Sequence, residues 1–319
     1  MKIDVSIVII CMNNLRNLYP CLNSIKLYTK VSYEVLVVAY LFSPENLAKI
    51  KKDFSWIKII VSNEIRGFSE NNNLALRQAK GKYCFVVNDD TEMKMPVIDE
   101  LVKTIETLPE NVAVVSPVTK YPNGNVQFCG RPYKNWQTII KQDLHLFNEK
   151  KDHVYSNKKG VFKSYNIIGA AFLIRTETFR NVGWFDEYYF FSPEDIALST
   201  KLNKMGYSCY VNADVFLIHY EGMTGKSLSM IQTATRPAMV KGSLHFYSEG
   251  KKVLYAVLGI WIWMHSFFQF VYHGMQGFFK KKPNASYILS IGDWRVCCTL
   301  FSKKTPKQIF EKYYNMLGV

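Results

Sequence analysis

Two pairs of adjacent acidic residues have the context for chemistry in this 319-residue chain. The first pair, Asp89 and Asp90, is preceded by Asn88 and directly follows the apolar run 83–87. Neighbouring carboxylates at the end of a buried strand repel each other, so both charges are costly without a cation. Mg²⁺ or Mn²⁺ would offset that cost through oxygen ligands and could bridge the phosphates of a nucleoside diphosphate. An exposed Asx-type turn is the alternative interpretation.

The second pair, Glu194 and Asp195, follows the residues Phe-Phe-Ser-Pro. Pro193 is typical of a helix start, where acids are favoured by the helix dipole, so a purely structural role stays open. In the functional interpretation, one carboxylate is a general base that takes a proton from an acceptor hydroxyl. His219, in Leu-Ile-His-Tyr, is more often simply packed in such a context, and it gains a role only if the fold brings it near Asp90.

The elements that must position these residues alternate between strand and helix. Short apolar, β-branched runs predict buried parallel strands, and the capping residues Asn13 or Asn14 and Ser69 predict helix starts. This alternation predicts a mostly parallel, Rossmann-like sheet flanked by helices, with its ligand site at the carboxyl ends of the strands. We expect strands at 5–11, 34–39, 57–61, 83–87 and 112–116. The candidate ligand loops are then 12–14, 39–43, 63–68 and 88–91.

The remainder of the chain divides into an insertion, a return to α/β structure and a different C-terminal part. Residues 120–164 are irregular and polar and predict a long insertion over the site. After it we expect a strand at 165–174, a helix from Glu194 to Met205 and a strand at 207–211. The sequence therefore predicts an α/β domain of residues 1–225, followed by a helical region of residues 226–319.

The net charge and the cysteine content limit which partners the protein is expected to bind and in which cellular compartment we expect it. The formal net charge is +14, and residues 251–319 carry ten Lys or Arg against two acids, which is +8 of it. Such a surface attracts phosphates or anionic lipid headgroups, and since no nucleic-acid motif is present we expect no nucleic-acid partner. The seven cysteines form no C-x-x-C pair, which favours reduced thiols and a cytoplasmic protein. The N-terminus does not have the pattern of a signal peptide.

The apolar segment 254–279 suggests a membrane contact. Its 26 residues contain no formally charged side chain and are long enough to span a bilayer core of about 30 Å. His265, Gln269, His273 and Gln276 have helical spacing and would share one face, which favours a helix lying in the membrane interface, with flanking lysines on anionic headgroups. A helix that covers the α/β domain or a homodimer partner, and a true span, are the alternatives. The interfacial hypothesis implies a peripheral protein on the inner face of the cell membrane.

Several sequence blocks together resemble the family 2 glycosyltransferases, which have the GT-A fold. The resemblance covers about residues 3–225 and depends on the order and spacing of the blocks, since each one alone is a weak signal. The blocks are Val5 to Asn14, Asn63 to Asn73, Val87 to Thr91, Gly169 to Arg175, Val182 to Glu187, Phe190 to Leu202, Gly206-Tyr207 and His219. Within the family, the chain resembles rhamnosyltransferase-like enzymes of bacterial polysaccharide assembly.

The resemblance also implies roles for individual residues. Asp90 would be the main metal ligand, with Asp89 or Asn88 assisting and His219 completing a site for Mn²⁺ or Mg²⁺. Asp195 would be the catalytic base, with Glu194 as second choice. The implied donor-binding residues are Asn13, Tyr40, Arg66, Gly67, Phe68, Asn73, Asn88, Asp89, Gly169 and Ala170. The implied acceptor residues are Trp184, Asp186 and Glu187.

The implied activity is a single inverting displacement from a nucleoside-diphosphate sugar to a glycan or lipid-linked acceptor in surface polysaccharide synthesis. One position departs from the family pattern. Ala39 stands where the resemblance implies an Asp that contacts the nucleotide, and Tyr40 or Phe42 could stack on the base instead. This departure keeps open a non-catalytic nucleotide- or glycan-binding subunit. Nucleotidyl transfer is disfavoured, because no Gly-rich loop follows the first strand.

Overall fold

Four parallel strands of β-branched and apolar residues form the first half of a ten-stranded sheet. They are β1 (Val5–Met12), β2 (Tyr33–Tyr40), β3 (Lys58–Ser62) and β4 (Tyr83–Asn88). The computed structural model describes residues 3–146, 155, 158–220, 229–278 and 285–318. In it, β2 and β4 both pair in parallel with β1, and β3 extends the sheet beyond β2. The carboxyl ends of these strands therefore meet at one edge, as predicted for the ligand site.

The second half of the sheet mixes strand directions. Its strands are β5 (Thr91–Met93), β6 (Val112–Lys120), β7 (Val126–Phe128), β8 (Val161–Ser164), β9 (Ala171–Arg175) and β10 (Ser208–His219). The main order is β3-β2-β1-β4-β9-β6-β10-β5, and β9 runs antiparallel to both of its neighbours. The strand expected at 165–174 begins only at Ala171, and the strand expected at 207–211 continues through an irregularity to His219.

Helices cover both faces of the sheet, because successive strand residues point to opposite sides. Ile7 and Ile9 belong to one apolar core cluster and Val8 to the other. The helices of the α/β part are α1 (Leu15–Tyr28), α2 (Pro44–Asp53), α3 (Phe68–Leu76), α4 (Val97–Thr107), α5 (Trp136–Asp143), α6 (Thr176–Asn181) and α7 (Glu194–Lys204). The structure thus confirms an α/β fold flanked by helices, but the sheet is mixed and not mostly parallel: among the described strands, four pairings are parallel and five are antiparallel.

The structure confirms one local prediction, the cap of α1, and corrects two others. Asn14 caps α1 as predicted, accepting a hydrogen bond from Asn17 N at 3.3 Å. Helix α3 starts one residue before the predicted cap Ser69 and ends at Leu76. The segment 120–164 is also more regular than its polarity indicated, since it contains α5, β7 and β8.

Four helices follow the sheet: α8 (Gln232–Tyr247), α9 (Lys252–Phe278), α10 (Ala285–Thr299) and α11 (Pro306–Asn315). The predicted boundary near residue 225 lies outside the described residues. Helices α8 and α11 pack onto the α/β part through a third core cluster. Phe310 lies with its ring 4.6 Å from the ring of Phe190, between centroids.

Two of the four helically spaced polar residues on helix α9, His265 and His273, face the rest of the protein. His265 lies 3.6 Å from Asp143, and His273 Nδ1 lies 3.0 Å from Oδ2 of the fully buried Asp293. Because these partners come from α5 and α10, both histidines are paired within the protein, whereas Gln276 is exposed. The outward face is apolar, and Phe268 is 68% exposed. Among the described helices, α9 alone is long and apolar enough, by length and composition, to cross a membrane.

Candidate functional site

The acidic turn after β4 lies beside the end of β10, where His219 is found. The pairing of β5 with β10 places Thr91 opposite His219. Asp90 Oδ1 consequently lies 3.3 Å from His219 Nε2, and the Asp90 carbonyl accepts a hydrogen bond from Tyr220 N at 2.9 Å. Both side chains are largely buried. The fold therefore brings together the two residues whose proximity the sequence left undecided.

The other nitrogen of His219 is held by Gln127, a residue that the sequence analysis missed. Nδ1 lies 2.8 Å from Oε1 of Gln127, which is itself buried on β7. With the amide oxygen as acceptor, Nδ1 carries the hydrogen, and the lone pair of a neutral Nε2 faces the Asp90 carboxylate. Two acceptors at this separation require a proton or a cation between them, and such a second contact to a ligating histidine is typical of metal sites.

Asp89 adds a carboxylate whose environment also suits a cation. Burial raises the pKa of Asp89 to about 7; a hydrogen bond from Cys11 opposes the shift and the neighbouring Asp90 adds to it. Its Oδ2 is buried and has no hydrogen-bond partner among the described residues. The residues present thus fit Mg²⁺ or Mn²⁺. No three His, Cys, Asp or Glu side chains form a complete metal site in the described part of the chain, so phosphates and water would supply the remaining ligands.

An open cleft of about 220 Å³ reaches Asp90 from the α1 side. It is lined by Asp90, Thr91, Tyr220, and by Arg16, Asn17 and Pro20. Tyr220 donates a hydrogen bond from its hydroxyl to Glu92 at 2.7 Å, which fixes one wall. The acidic turn is therefore reachable by a small polar ligand.

Asp195 lies in the first turn of α7, and its Oδ2 accepts from two donors. Arg131 Nη1 lies 2.6 Å from its Oδ2, and Gly169 N donates to the same oxygen at 3.1 Å. Among the residues that the structure describes, Oδ1 accepts only from Ile196 N at 2.8 Å, which leaves one acceptor position of the carboxylate open there. Sequence reasoning missed Arg131, since a single arginine in an irregular segment gives no local signal.

Arg131 is itself fixed by the insertion. Its backbone N donates to Ser164 Oγ at 3.0 Å, and its guanidinium lies over the ring of Phe128 at 4.8 Å. Strand β8, which contains Ser164, therefore positions the cation that pairs with Asp195. The insertion contributes directly to the second acidic site.

Gly169 and Ala170 link the two acidic sites. A Cβ at Gly169 would lie 3.3 Å from Asp195 Oδ2, so glycine gives the carboxylate room to reach the backbone N–H. The Ala170 carbonyl accepts from Asn88 N at 2.9 Å. One dipeptide thus contacts the base candidate on one side and the acidic turn on the other.

Glu194 is half-buried, and its environment differs from that of the buried Asp195. Burial, followed by the nearby charge of Asp195, raises the pKa of Glu194 well above its usual range. Its Oε2 has no hydrogen-bond partner among the described residues. The structure thus distinguishes the pair: Asp195 is bound by a cation and an amide, whereas Glu194 is placed where its neutral form is favoured.

The Arg66-Gly67-Phe68 turn is packed tightly against Phe190. Phe68 N donates to the Phe190 carbonyl at 2.9 Å, and a Cβ at Gly67 would lie 2.1 Å from that oxygen. Tyr40, which is 8% exposed, accepts from Arg66 N through its hydroxyl at 3.3 Å. Tyr40 thus supports the turn from beneath, and its stacking on a nucleobase stays a prediction.

Asn13 and Asn73 hold loops in place around the candidate donor site. Asn13 Oδ1 accepts from Ser43 N at 3.0 Å and from Asn46 Nδ2 at 2.9 Å, and so joins the loops after β1 and β2. Asn73 is buried, and its Nδ2 donates to the Phe185 carbonyl and to Glu187 Oε1, both at 2.9 Å. These contacts give both asparagines a positioning role.

The three acceptor candidates are not brought to one place. Glu187 forms an ion pair with Arg77 at 2.6 Å, next to Asn73. Trp184 and Asp186 instead line a separate cleft of about 390 Å³ beside α7. Trp184 has a φ of +64°, which is uncommon for a bulky residue.

Helix α11 also reaches the donor side, which the sequence did not indicate. Lys307 Nζ lies 2.8 Å from Glu70 Oε1, while Glu70 Oε2 accepts from Gly67 N at 3.1 Å. The C-terminal region thus braces the same turn that Phe190 contacts from the α7 side.

Comparisons with known proteins agree with this architecture. Over 167 residues, the chain is 27% identical to the O-antigen biosynthesis protein RfbC of Myxococcus xanthus, a match that covers 49% of this chain and only 12% of that protein. The structure is similar to GalNAc-T7 solved with UDP, GalNAc and Mn²⁺, with a TM-score of 0.55 and 19% identity over 68% of this chain and 44% of that one.

A second similar structure is the mannosyltransferase PcManGT from Pyrobaculum calidifontis in complex with GDP-Man and Mn²⁺. The TM-score is 0.53 at 13% identity, covering 100% of this chain and 81% of that one. At such identities, both likenesses show a shared GT-A fold. The profile of the family described as Glycosyl transferase family 2 matches residues 6–183, which is more than half of the sequence. The chain therefore belongs to glycosyl transferase family 2.

Proposed function

We propose that this glycosyltransferase moves a sugar, with inversion, from a nucleoside-diphosphate sugar to a hydroxyl of a glycan acceptor. The observation that carries the proposal is the link from Asn88 through Ala170 and Gly169 to Asp195. This link fixes a candidate base next to a candidate diphosphate site. Holding two reactants in a defined orientation supplies much of an enzyme's rate.

Asp90 and His219 would be the main ligands of Mg²⁺ or Mn²⁺ at the acidic turn, with Asp89 assisting and with phosphates and water completing the coordination. The bound cation would neutralise the charge of the diphosphate and so favour its departure. The support from this chain is the Asp90 and His219 pair at 3.3 Å and the unpartnered Oδ2 of Asp89. Gln127 would keep the His219 ring in the orientation that presents Nε2.

Asp195 would act as the general base. Arg131 and the Gly169 N–H hold its Oδ2, and the open acceptor position on Oδ1 could receive the proton of the acceptor hydroxyl. The hydroxyl oxygen then forms a bond to the anomeric carbon while the bond from that carbon to the diphosphate oxygen breaks. Glu194, held neutral by burial, is the weaker candidate for this role.

One relative bears on the acceptor class and the biological setting. The relative in Myxococcus xanthus is named for O-antigen biosynthesis, which favours surface polysaccharide synthesis and a lipid-linked acceptor here. GalNAc-T7 was solved with UDP and PcManGT with GDP-Man, so the comparisons favour no single nucleotide base.

We also propose that the outward face of α9 contacts the inner surface of the cell membrane. The face carries large apolar side chains, among them Val253 and Val257, Ile260 and Phe268, while His265 and His273 are turned inward. Lys251, Lys252, Lys303 and Lys304 provide cations on the same helical region. A homodimer contact through the same face is the competing hypothesis.

Vesicle flotation distinguishes the membrane contact from the homodimer contact. Phe268→Glu should abolish flotation of the full chain with anionic vesicles and leave its oligomeric state in solution unchanged. If the wild type does not float and instead forms a dimer that dissociates on this substitution, the outward face of α9 contacts a second copy of the chain and not the membrane.

The activity is tested first by thermal stability against UDP, GDP, dTDP and CDP, each with and without Mn²⁺. A ligand that binds the native state raises the melting temperature by mass action. We expect one nucleotide to raise it only with metal, and Asp90→Ala to remove the effect. Asp195→Asn should keep the effect and lose sugar transfer by about 10²–10⁴-fold.

A non-catalytic binding subunit is the second candidate function. Ala39, which is fully buried at the end of β2, favours it, because no carboxylate stands there to contact a nucleotide. Absence of any nucleotide effect in the thermal series, together with no transfer from any nucleotide sugar, would favour this candidate over the enzyme.

A further inference from the structure

A second cleft lies on the face of α7 that points away from Asp195. Its volume is about 390 Å³, and α7 contributes Ala197, Thr200, Lys201 and Lys204 to its wall. Lys204 follows Asp195 by nine residues, or about two and a half helical turns, and therefore lies on the opposite side of the helix. The cleft is thus separate from the carboxylate that we propose as base.

Aromatic side chains form much of this cleft. Tyr133 and Tyr165 pack edge to face with ring centroids 4.7 Å apart, and Trp184, Tyr189 and Phe246 add further rings. Aromatic surfaces combine a large apolar area with few rotatable bonds, which suits a rigid ligand. Pyranose rings present apolar C–H faces of matching size, and they stack on such surfaces.

Polar groups for hydroxyl recognition stand among the rings. Asn135, Asp186 and Lys201 line the cleft. Thr200 also lines it, and its Oγ1 is buried without a hydrogen-bond partner among the described residues. Because an unsatisfied buried hydroxyl is costly, this atom is placed to bond a ligand hydroxyl or a water. A sugar presents both donors and acceptors.

The charge of the lining argues against a nucleotide or another strongly anionic ligand. Lys134, Lys201 and Lys204 face Asp186 and Glu249, so cationic and anionic groups nearly balance. This mixture contrasts with the acidic turn, where we expect the diphosphate. A ligand of many hydroxyls and little charge fits the lining better.

The backbone conformation of Trp184 is of a kind that is common at ligand-binding sites. Its φ of +64° is strained for a bulky residue, and Gly183 before it also has a positive φ of +85°. A hydrogen bond from Trp184 N to the Phe179 carbonyl at 2.9 Å holds the conformation. Strained backbone of this kind concentrates at ligand clamps and active sites.

We propose that this cleft binds a sugar unit of the acceptor glycan that is remote from the reacting hydroxyl. The proposal rests on the function proposed above and deepens it, since it makes the acceptor an oligosaccharide and not a single sugar. The remote unit would hold the acceptor while its reacting end lies at Asp195.

The experiment is a glycan array of bacterial surface oligosaccharides probed with the labelled full chain, followed by fluorescence polarisation with the strongest binder. Tyr133→Ala and Thr200→Val should each lower the affinity for that oligosaccharide by about tenfold, as expected for the loss of one ring contact or one hydroxyl contact. Tyr287→Ala, at a tyrosine of similar exposure on α10, is the matched control and should not change the affinity.

The nucleotide-dependent melting shift is measured on the same variants. An unchanged shift with weakened glycan binding supports the cleft and leaves the donor site intact. Wild-type chain that binds no glycan on the array, or variants that bind as well as wild type, would overturn the proposal even if the nucleotide shift is present. If the wild type shows no nucleotide-dependent change in melting temperature, that result would instead count against the transferase function.

Discussion

Arg131 Nη1 lies 2.6 Å from Oδ2 of Asp195, although the two residues are separated by 64 positions in the chain. The guanidinium comes from the insertion and is held by Ser164 and Phe128. Because both partners are largely buried, the pair fixes the direction of the Asp195 carboxylate as well as its charge. The insertion therefore completes the candidate catalytic centre as well as covering it.

Replacing Arg131 should impair turnover more than donor binding. Arg131→Met leaves Asp195 without its cation, so we expect kcat to fall by about 10–100-fold with the donor KM within about twofold. Arg131→Lys should restore part of kcat, since it returns the charge without the planar fork. Arg180→Met, at an exposed arginine, is the control. A rise in donor KM with unchanged kcat would contradict a positioning role for Arg131.

Glu194 should make the protein less stable as pH rises. Its pKa is raised in the folded state above the ordinary 4.5, mainly by burial, so the folded protein retains a proton that the unfolded chain releases. The free energy of unfolding should therefore fall with pH above about 4.5. Glu194→Gln should flatten this slope in urea titrations between pH 5 and pH 8. Equal slopes in Glu194→Gln and in the exposed-site control Glu177→Gln would refute the assignment.

Gly67→Ala should destabilise the fold because the added Cβ would lie 2.1 Å from the Phe190 carbonyl. Neither atom belongs to a flexible side-chain end, so we expect a loss of about 1–3 kcal/mol in the free energy of unfolding, measured by urea denaturation. Gly274→Ala on α9, where the new Cβ would have an ordinary 3.4 Å contact, should be neutral or stabilising. A neutral Gly67→Ala would mean that the turn can move away from Phe190.

Phe310→Ala should couple a loss of stability to weaker nucleotide binding. The buried ring packs 4.6 Å from Phe190, whose carbonyl holds Phe68 N in the candidate donor site. We expect a cost of about 3–5 kcal/mol in unfolding and a smaller nucleotide-dependent melting shift. The exposed Phe268→Ala should leave both unchanged. A destabilised Phe310→Ala with a full nucleotide shift would show that α11 does not support the donor site.

Gln127→Leu should weaken metal binding, although Gln127 is not itself a proposed metal ligand. The substitution removes the acceptor at His219 Nδ1, so the Mn²⁺ concentration for half-maximal nucleotide stabilisation should rise by about 10–100-fold. Gln78→Leu, at an exposed position after α3, is the control. An unchanged Mn²⁺ requirement would remove Gln127 from the site.

Much of the fold was predictable because strand and helix patterns are local. The buried strand runs, the Asn14 cap and the acidic turn all depend on residues close in sequence. The boundaries of β9, β10 and α3 were less predictable, since long-range pairing decides where a strand or helix ends. The regular elements inside 120–164 escaped prediction for the same reason: their few apolar residues pack on distant parts of the chain.

The family resemblance, the α/β fold, the acidic turn at the end of a buried strand and the apolar character of α9 all follow from residue patterns along the chain. Tertiary packing was needed to show that Asp90 meets His219, that Gln127 and Arg131 support the two acidic sites, and that α9 turns its apolar face outward. The physical reason is that periodicity and composition encode what a segment buries, whereas its partners depend on packing between elements far apart in the chain.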